Sequence, residues 1–165
     1  MPQSVNNSTS DHALELLDVT CTFRSRDDAG QAYTAVGETT LRIRAGEFVS
    51  VVGPTGCGKS TLLNIGAGLL PPTSGSVKVF GQPLAGINTR AGYMFQTEAL
   101  MPWRSAIDNV MVGLQYHGVP DDEARRQAQA WLERVGLSGF GDRYPHQLSG
   151  GMSQRIVIAM AIACQ

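Results

Sequence analysis

The pattern of hydrophobic and polar positions divides the chain into a strand-like first half and a helical second half. Residues 14–20 (Leu14, Glu15, Leu16, Leu17, Asp18, Val19, Thr20) alternate well enough for a first strand. The charged, turn-prone stretch 24–31 reads as a loop or hairpin tip. Residues 39–44 return as a strand with Leu41 and Ile43 on one face, and Ala45 and Gly46 turn the chain into 47–52. That run (Glu47, Phe48, Val49, Ser50, Val51, Val52) is short, apolar and rich in β-branched residues, which predicts a buried parallel strand. Residues 62–69 can continue from Lys59 as a helix, and Pro71, Pro72 and Gly75 mark its stop. A short strand over 77–80, a turn over 81–83 and another buried strand over 92–95, ending at Gln96, complete this half.

Beyond Gln96 the period changes. Ile107, Val110, Met111 and Leu114 recur at helical spacing, and Ala124, Ala128, Trp131, Leu132 and Val135 do so again. Asp121 and Asp122 put negative charge where the second helix begins, as its dipole favours. Residues 96–151 therefore read as a helical subdomain inserted into an α/β core, with Trp131 and the methionines in its interior.

Composition narrows the classes. A chain of 165 residues with 42 % hydrophobic and 16 % charged residues suits a single globular domain. A formal charge of −1 gives no footprint for nucleic acid. No apolar run reaches the length of a membrane span, so membrane association is expected through a partner. Residues 1–12 form a polar, disordered lead-in without signal-peptide character. Cys21, Cys57 and Cys164 lack metal-ligand spacing and suit the reduced thiols of a cytoplasmic protein.

The chemistry concentrates at 53–61. Gly53, Pro54, Thr55, Gly56, Cys57, Gly58, Lys59, Ser60 and Thr61 fit G-x-x-x-x-G-K-[ST] between an expected strand and an expected helix. Glycines there let successive backbone N–H groups turn inward as an anion nest, and the helix start adds the positive end of its dipole. Lys59 is placed to reach β and γ phosphates, and the Ser60 hydroxyl to ligate Mg²⁺. Cys57 reads as a small filler inside this loop. A second anion-binding helix start follows at 148–155, where Ser149 can cap a helix opened by Gly150 and Gly151. Ile156, Ala159, Met160 and Ala163 then share a face.

A Walker A loop, a Phe95-Gln96 strand end and Leu148-Ser149-Gly150-Gly151-Met152, in that order, closely resemble an ATP-binding subunit of an ABC transporter. The resemblance covers the chain after about Ala13. It implies a P-loop NTPase core, an antiparallel β layer plus a parallel sheet, over 13–95. It implies a helical subdomain with the signature motif over 96–151, and the start of a returning core helix over 152–165. It implies ATP and Mg²⁺ as cofactors. Phe23 holds the place of the aromatic that stacks on adenine, with Tyr33 a weaker candidate beyond the charged loop. Gln96 matches the glutamine that contacts Mg²⁺ and water at the γ-phosphate. Ser149, Gly150 and Gly151 match the signature that covers ATP on the P-loop of a second, head-to-tail subunit. The implied partners are that subunit, transmembrane permease subunits and, indirectly, a substrate-binding protein, with the chain peripheral on the cytoplasmic face of the cell membrane. Trp103 lines the permease groove or caps the subdomain core.

The family's Walker B aspartate, its general-base glutamate and its switch histidine have no counterpart, and no Asp or Glu follows Asp142. The resemblance therefore implies a fold incomplete at the C-terminus, and 165 residues that hydrolyse ATP poorly by themselves. Residues 92–96, 100–104 and 108–110 resemble importers of nitrate, sulfonate or taurine, whereas 154–161 resemble peptide importers. The leading expectation is a subunit energising import of a small anion. The alternatives are a peptide-type importer subunit, or a nucleotide-binding module that does not hydrolyse.

Overall fold

The computed structural model describes residues 11–24, 32–96 and 100–163. The expected hairpin tip over 24–31 lies outside them from residue 25 onward, as does nearly all of the expected lead-in. The chain divides into two compact units, Met1–Thr89 and Arg90–Gln165.

In the first unit, β1 (His12–Arg24) pairs antiparallel with β2 (Ala32–Arg44) on one side and with β3 (Ser74–Val79) on the other. The two-residue β4 (Gln82–Pro83) completes a sheet of order β2-β1-β3-β4. The inward face of β1 supplies Leu16, Val19 and Cys21, which pack with Val36, Ile65 and Val77 into one buried cluster. Helix α1 (Lys59–Gly66) lies on β1 and β2 and contributes Ile65 to that cluster. The pairing slips by a bulge between Leu16 and Val19, where Asp18 takes φ 51°. Thr40 holds the bulge, accepting from the Asp18 N–H at 3.0 Å and donating to its carboxylate at 2.5 Å. This side-chain bridge replaces the ladder bonds that a bulge removes.

β1 and β2, at 13 residues each, run far beyond the expected 14–20 and 39–44. The turn expected over 81–83 sits at Phe80 and Gly81, between Val79 and its ladder partner Gln82. Both turn residues have positive φ, 47° and 77°, as a two-residue hairpin loop of the right twist requires.

Two expected strands are corrected. Residues 47–52 are not a strand, and their apolar side chains are exposed, Phe48 at 94 % and Val52 at 85 %. Residues 92–95 are not a strand either, and Met94 and Phe95 are exposed. A parallel strand exists only through ladder bonds to neighbours remote in sequence, and among the described residues neither run has such a neighbour. Composition made both runs look buried. The described sheet is antiparallel throughout.

The second unit packs three helices, α2 (Ala106–Tyr116), α3 (Asp121–Arg134) and α4 (Gly150–Ala163). The expected periodic residues meet: Ile107, Val110, Met111 and Leu114 bury against Ala124, Ala128 and Leu132, and against Ile156, Ala159 and Ala163. Trp131, Val135 and Met160 pack on this core while partly exposed. The Arg134 guanidinium lies 4.6 Å from the centre of the Trp131 ring. Ser105 caps α2, accepting from the Asp108 N–H and donating to the Asp108 carboxylate.

One buried polar side chain ties the segment before α2 to that helix. Asn109 is fully buried. Its Oδ1 accepts from the Met101 N–H at 2.8 Å, and its amide donates to the carbonyls of Met101, Arg104 and Ser105 at 3.2, 3.1 and 2.9 Å. Pro102 and Trp103, in the segment so held, face outward, with Trp103 73 % exposed.

Acidic residues open α3 as the dipole favours. The Arg126 guanidinium, and after it the Gln127 amide, hold the Glu123 carboxyl below its usual pKa. Whatever stability this arrangement lends is present above the ordinary carboxylate pKa and is lost as pH falls through the lowered one.

Candidate functional site

The loop over 53–61 is open at its centre and anchored at its ends. Gly53, Pro54, Thr55, Gly56, Cys57 and Ser60 are exposed, and Gly58, Lys59 and Thr61 are half-buried. Gly56 and Gly58 take φ 84° and 92°, backbone that glycine adopts without strain. Gly58 is the N-cap of α1 and brings no side chain, and no acidic residue occupies the first turn. The first N–H groups of α1 have no intrahelical partners by geometry, so they face outward as donors. Lys59 Nζ curls back into the loop, donating to the carbonyls of Gly53 and Pro54 at 2.8 and 2.7 Å, with Cys57 Sγ at 3.6 Å. These acceptors are neutral, and among the described residues Lys59 forms no ion pair. An uncompensated ammonium, unfilled N–H groups and glycines where a Cβ is excluded fit a polyphosphate. The exposed Ser60 hydroxyl, next in the chain, is the donor type that Mg²⁺ takes.

Phe23, 44 % exposed, lies directly opposite Tyr33 in the β1–β2 ladder. Tyr33 was the weaker aromatic by sequence because a charged loop separates it from Phe23. Antiparallel pairing removes that separation. Its hydroxyl donates to the Gly56 carbonyl at 3.2 Å, inside the glycine loop. No local motif announces this contact. The only signal for it is the hairpin itself, which folds residue 33 back onto residue 23.

In the second unit, Ser149 acts as the expected cap: its Oγ accepts from the Met152 N–H at 3.3 Å, and its carbonyl accepts from Ser153 N–H at 2.9 Å. Gly150 and Gly151 are exposed at the start of α4, with nothing within 4 Å of a Cβ added to either. Gln96, also exposed, shares a cleft of about 440 Å³ with Gly150, Gly151 and Gln154. The structure thus places Gln96 and the glycines that open α4 on one cleft, which Ser149 does not line. A Ser149→Ala chain is expected to lose about 1 kcal/mol of stability in this unit. Urea unfolding followed by far-UV circular dichroism checks this, and an unchanged midpoint would show that the cap contributes nothing.

Comparison with known proteins agrees with this geometry. Residues 36–165 match the family model described as ABC transporter. A taurine import ATP-binding protein, TauB, of Chromobacterium violaceum is 48 % identical over 134 residues, 81 % of this chain and 51 % of that protein. Its namesake in Yersinia pestis is 44 % identical over 133 residues, 81 % of this chain and 52 % of that protein. An uncharacterized ABC transporter ATP-binding protein of Methanocaldococcus jannaschii is 45 % identical over 134 residues, 81 % of this chain and 50 % of its own length. The chain spans about half the length of the curated relatives it matches. Among solved structures, the ATP-binding cassette MJ0796, a dimer bound to ADP and Pi, aligns with a TM-score of 0.82 and 33 % identity, over 92 % of this chain and 69 % of that one. The fold is therefore the α/β ATP-binding cassette with its P-loop, and the chain belongs to the ABC transporter family.

Proposed function

We propose that this chain is the ATP-binding subunit of an ABC importer whose cargo is a small anion of the taurine, sulfonate or nitrate kind. The observation that supports the nucleotide reading is the loop over 53–61, with the Lys59 ammonium inside it and the open start of α1 beneath it. The anion reading rests on the relatives named for taurine import.

In this reading, 53–58 wrap the phosphates and present N–H groups from every residue but Pro54, Lys59 exchanges its two carbonyl partners for β- and γ-phosphate oxygens, and Thr61 continues the helix that orients them. Ser60, with Gln96, would hold Mg²⁺. The metal, when bound, neutralises phosphate charge and polarises the terminal phosphoryl group. Phe23 offers its face to adenine. Ser149, Gly150 and Gly151 would cover the nucleotide of a second subunit packed head to tail, so ATP favours the closed pair and its loss favours the open one. The core over 13–95, the helical subdomain over 96–151 and the helix that returns from 152 are the working parts. The permease would receive the motion at the cytoplasmic face of the membrane. Among the described residues no helix is long and apolar enough to cross a membrane. The general base for the attacking water is assigned to none of these residues.

Calorimetric titration with Mg-ATP tests the first part, and the absence of binding would sink it. Uptake of labelled taurine in cells carrying wild-type or Lys59→Ala protein tests the second. Uptake is expected to depend on Lys59, and equal uptake would remove the importer reading. A Phe23→Ala chain is expected to bind ATP about three- to tenfold more weakly while its affinity for inorganic triphosphate stays unchanged. A parallel loss for triphosphate would show that Phe23 does not act on the base.

A further inference from the structure

The geometry points to Tyr33 as a positioning residue for phosphate binding: its hydroxyl fixes the Gly56–Cys57 peptide so that the Cys57 N–H faces into the glycine loop. This rests on the nucleotide-binding reading above and adds to it a residue outside the glycine motif.

A trans peptide is planar, and its C=O and N–H point in opposite directions. No peptide in the described residues is cis. Tyr33 donates to the Gly56 carbonyl at 3.2 Å from the β2 side, which turns the N–H of the same peptide the other way. That N–H is Cys57's, and it points inward, to the Pro54 carbonyl at 3.4 Å. A bond this long is weak, so a phosphate oxygen can displace it. Lys59 donates to that same Pro54 carbonyl. The Cys57 N–H and the Lys59 ammonium thus converge on one small region of the loop.

Without the tether the peptide is free to turn. Gly56 has φ 84°, carries no side chain, and has nothing within 4 Å of the place a Cβ would take, so no packing at that position braces the peptide. Two residues along β2, the Ala35 carbonyl lies against Gly58. β2 therefore approaches the loop twice, at alternate residues: through a backbone carbonyl at one point and a phenol at the other. The phenol is 61 % exposed and contributes nothing to the buried cluster of this unit. Its work is the hydrogen bond.

Tyr33→Phe removes only the hydroxyl. Titrations of the wild-type and Tyr33→Phe chains with Mg-ATP, Mg-GTP and inorganic triphosphate, together with thermal unfolding, test the inference. All three affinities are expected to fall by the same factor, about three- to tenfold, while the melting temperature stays within about 2 °C. Unchanged triphosphate affinity in a wild type that binds it would overturn the inference and leave the nucleotide reading standing. A loss confined to ATP would also overturn it, assigning Tyr33 to the base. So would a loss accompanied by a large fall in melting temperature, since the role would then be structural. A wild type that binds none of the three would overturn the nucleotide reading and the inference together.

Discussion

Gly58→Val is expected to cost about 3–5 kcal/mol of stability in the first unit and to abolish measurable binding of Mg-ATP and of inorganic triphosphate. Two independent costs add at this position. The first is conformational: φ is 92°, and a β-branched residue is penalised there by about 1–3 kcal/mol. The second is contact. A Cβ at Gly58 would overlap the Ala35 carbonyl oxygen, with the Ala35 carbonyl carbon at 3.2 Å and Val36 Cγ2 at 3.3 Å. These atoms belong to β2, paired along its length with β1, so the strand cannot step aside. The loop must move instead, and the donors that face the phosphate move with it. Gly56→Ala separates the two costs. Its φ of 84° carries the conformational penalty, but no atom lies within 4 Å of the added Cβ. It is expected to lose only about 1 kcal/mol. Chemical denaturation with a triphosphate titration checks both variants, and equal losses at 56 and 58 would remove the close approach of β2 as the cause.

Asn109→Leu is expected to destabilise the second unit by about 3–4 kcal/mol, although leucine is close in size and apolar. The reason lies in what it abandons. The Met101 N–H and the Arg104 carbonyl pair with this side chain, whereas the carbonyls of Met101 and Ser105 keep the backbone N–H groups of Arg104 and of residue 109. A buried group left unpaired costs about 1–3 kcal/mol, and the segment escapes that cost only by peeling away from α2. Peeling would alter the surroundings of Trp103, already 73 % exposed, less than it alters the midpoint. Urea unfolding is therefore the decisive measurement, with loss of protection of the Met101 amide in hydrogen exchange as its local counterpart. A midpoint equal to wild type would show that the segment is held by something else. Asn109→Ala, which leaves a cavity as well, is expected to be at least as costly.

What the sequence reveals here follows the range of the interaction. The three long helices were legible because a period of 3.6 residues is local: Ile107, Val110, Met111 and Leu114 declare one face whatever packs on it. The Ser149 cap and the glycine loop were legible for the same reason. Residues 47–52 and 92–95 were misread because apolar, β-branched composition is shared by a ladder-bonded strand and by an extended run without partners. The distal halves of β1 and β2 were missed because Thr22, Thr34, Gly37 and Glu38 dilute the apolar alternation. Their stability comes from pairing, including a hydroxyl contact between Thr22 and Thr34 at 3.0 Å. Of the candidate site, the residues inside motifs could be read in advance. Asn109 and the Tyr33 contact could not, since both are defined by what lies across space.

The ladder that sets Phe23 opposite Tyr33 also ties the glycine loop to the register of β1 on β2. Strand side chains alternate between faces, so a pairing slip of one residue would carry the Tyr33 phenol to the opposite side of the sheet and present Ala32 or Thr34 in its place. A substitution that shifted the register of β1 on β2 would then alter Gly56 without touching any residue of the motif. The geometry of the glycine loop is accordingly held in part by a strand position 23 residues before Gly56, outside the motif that binds.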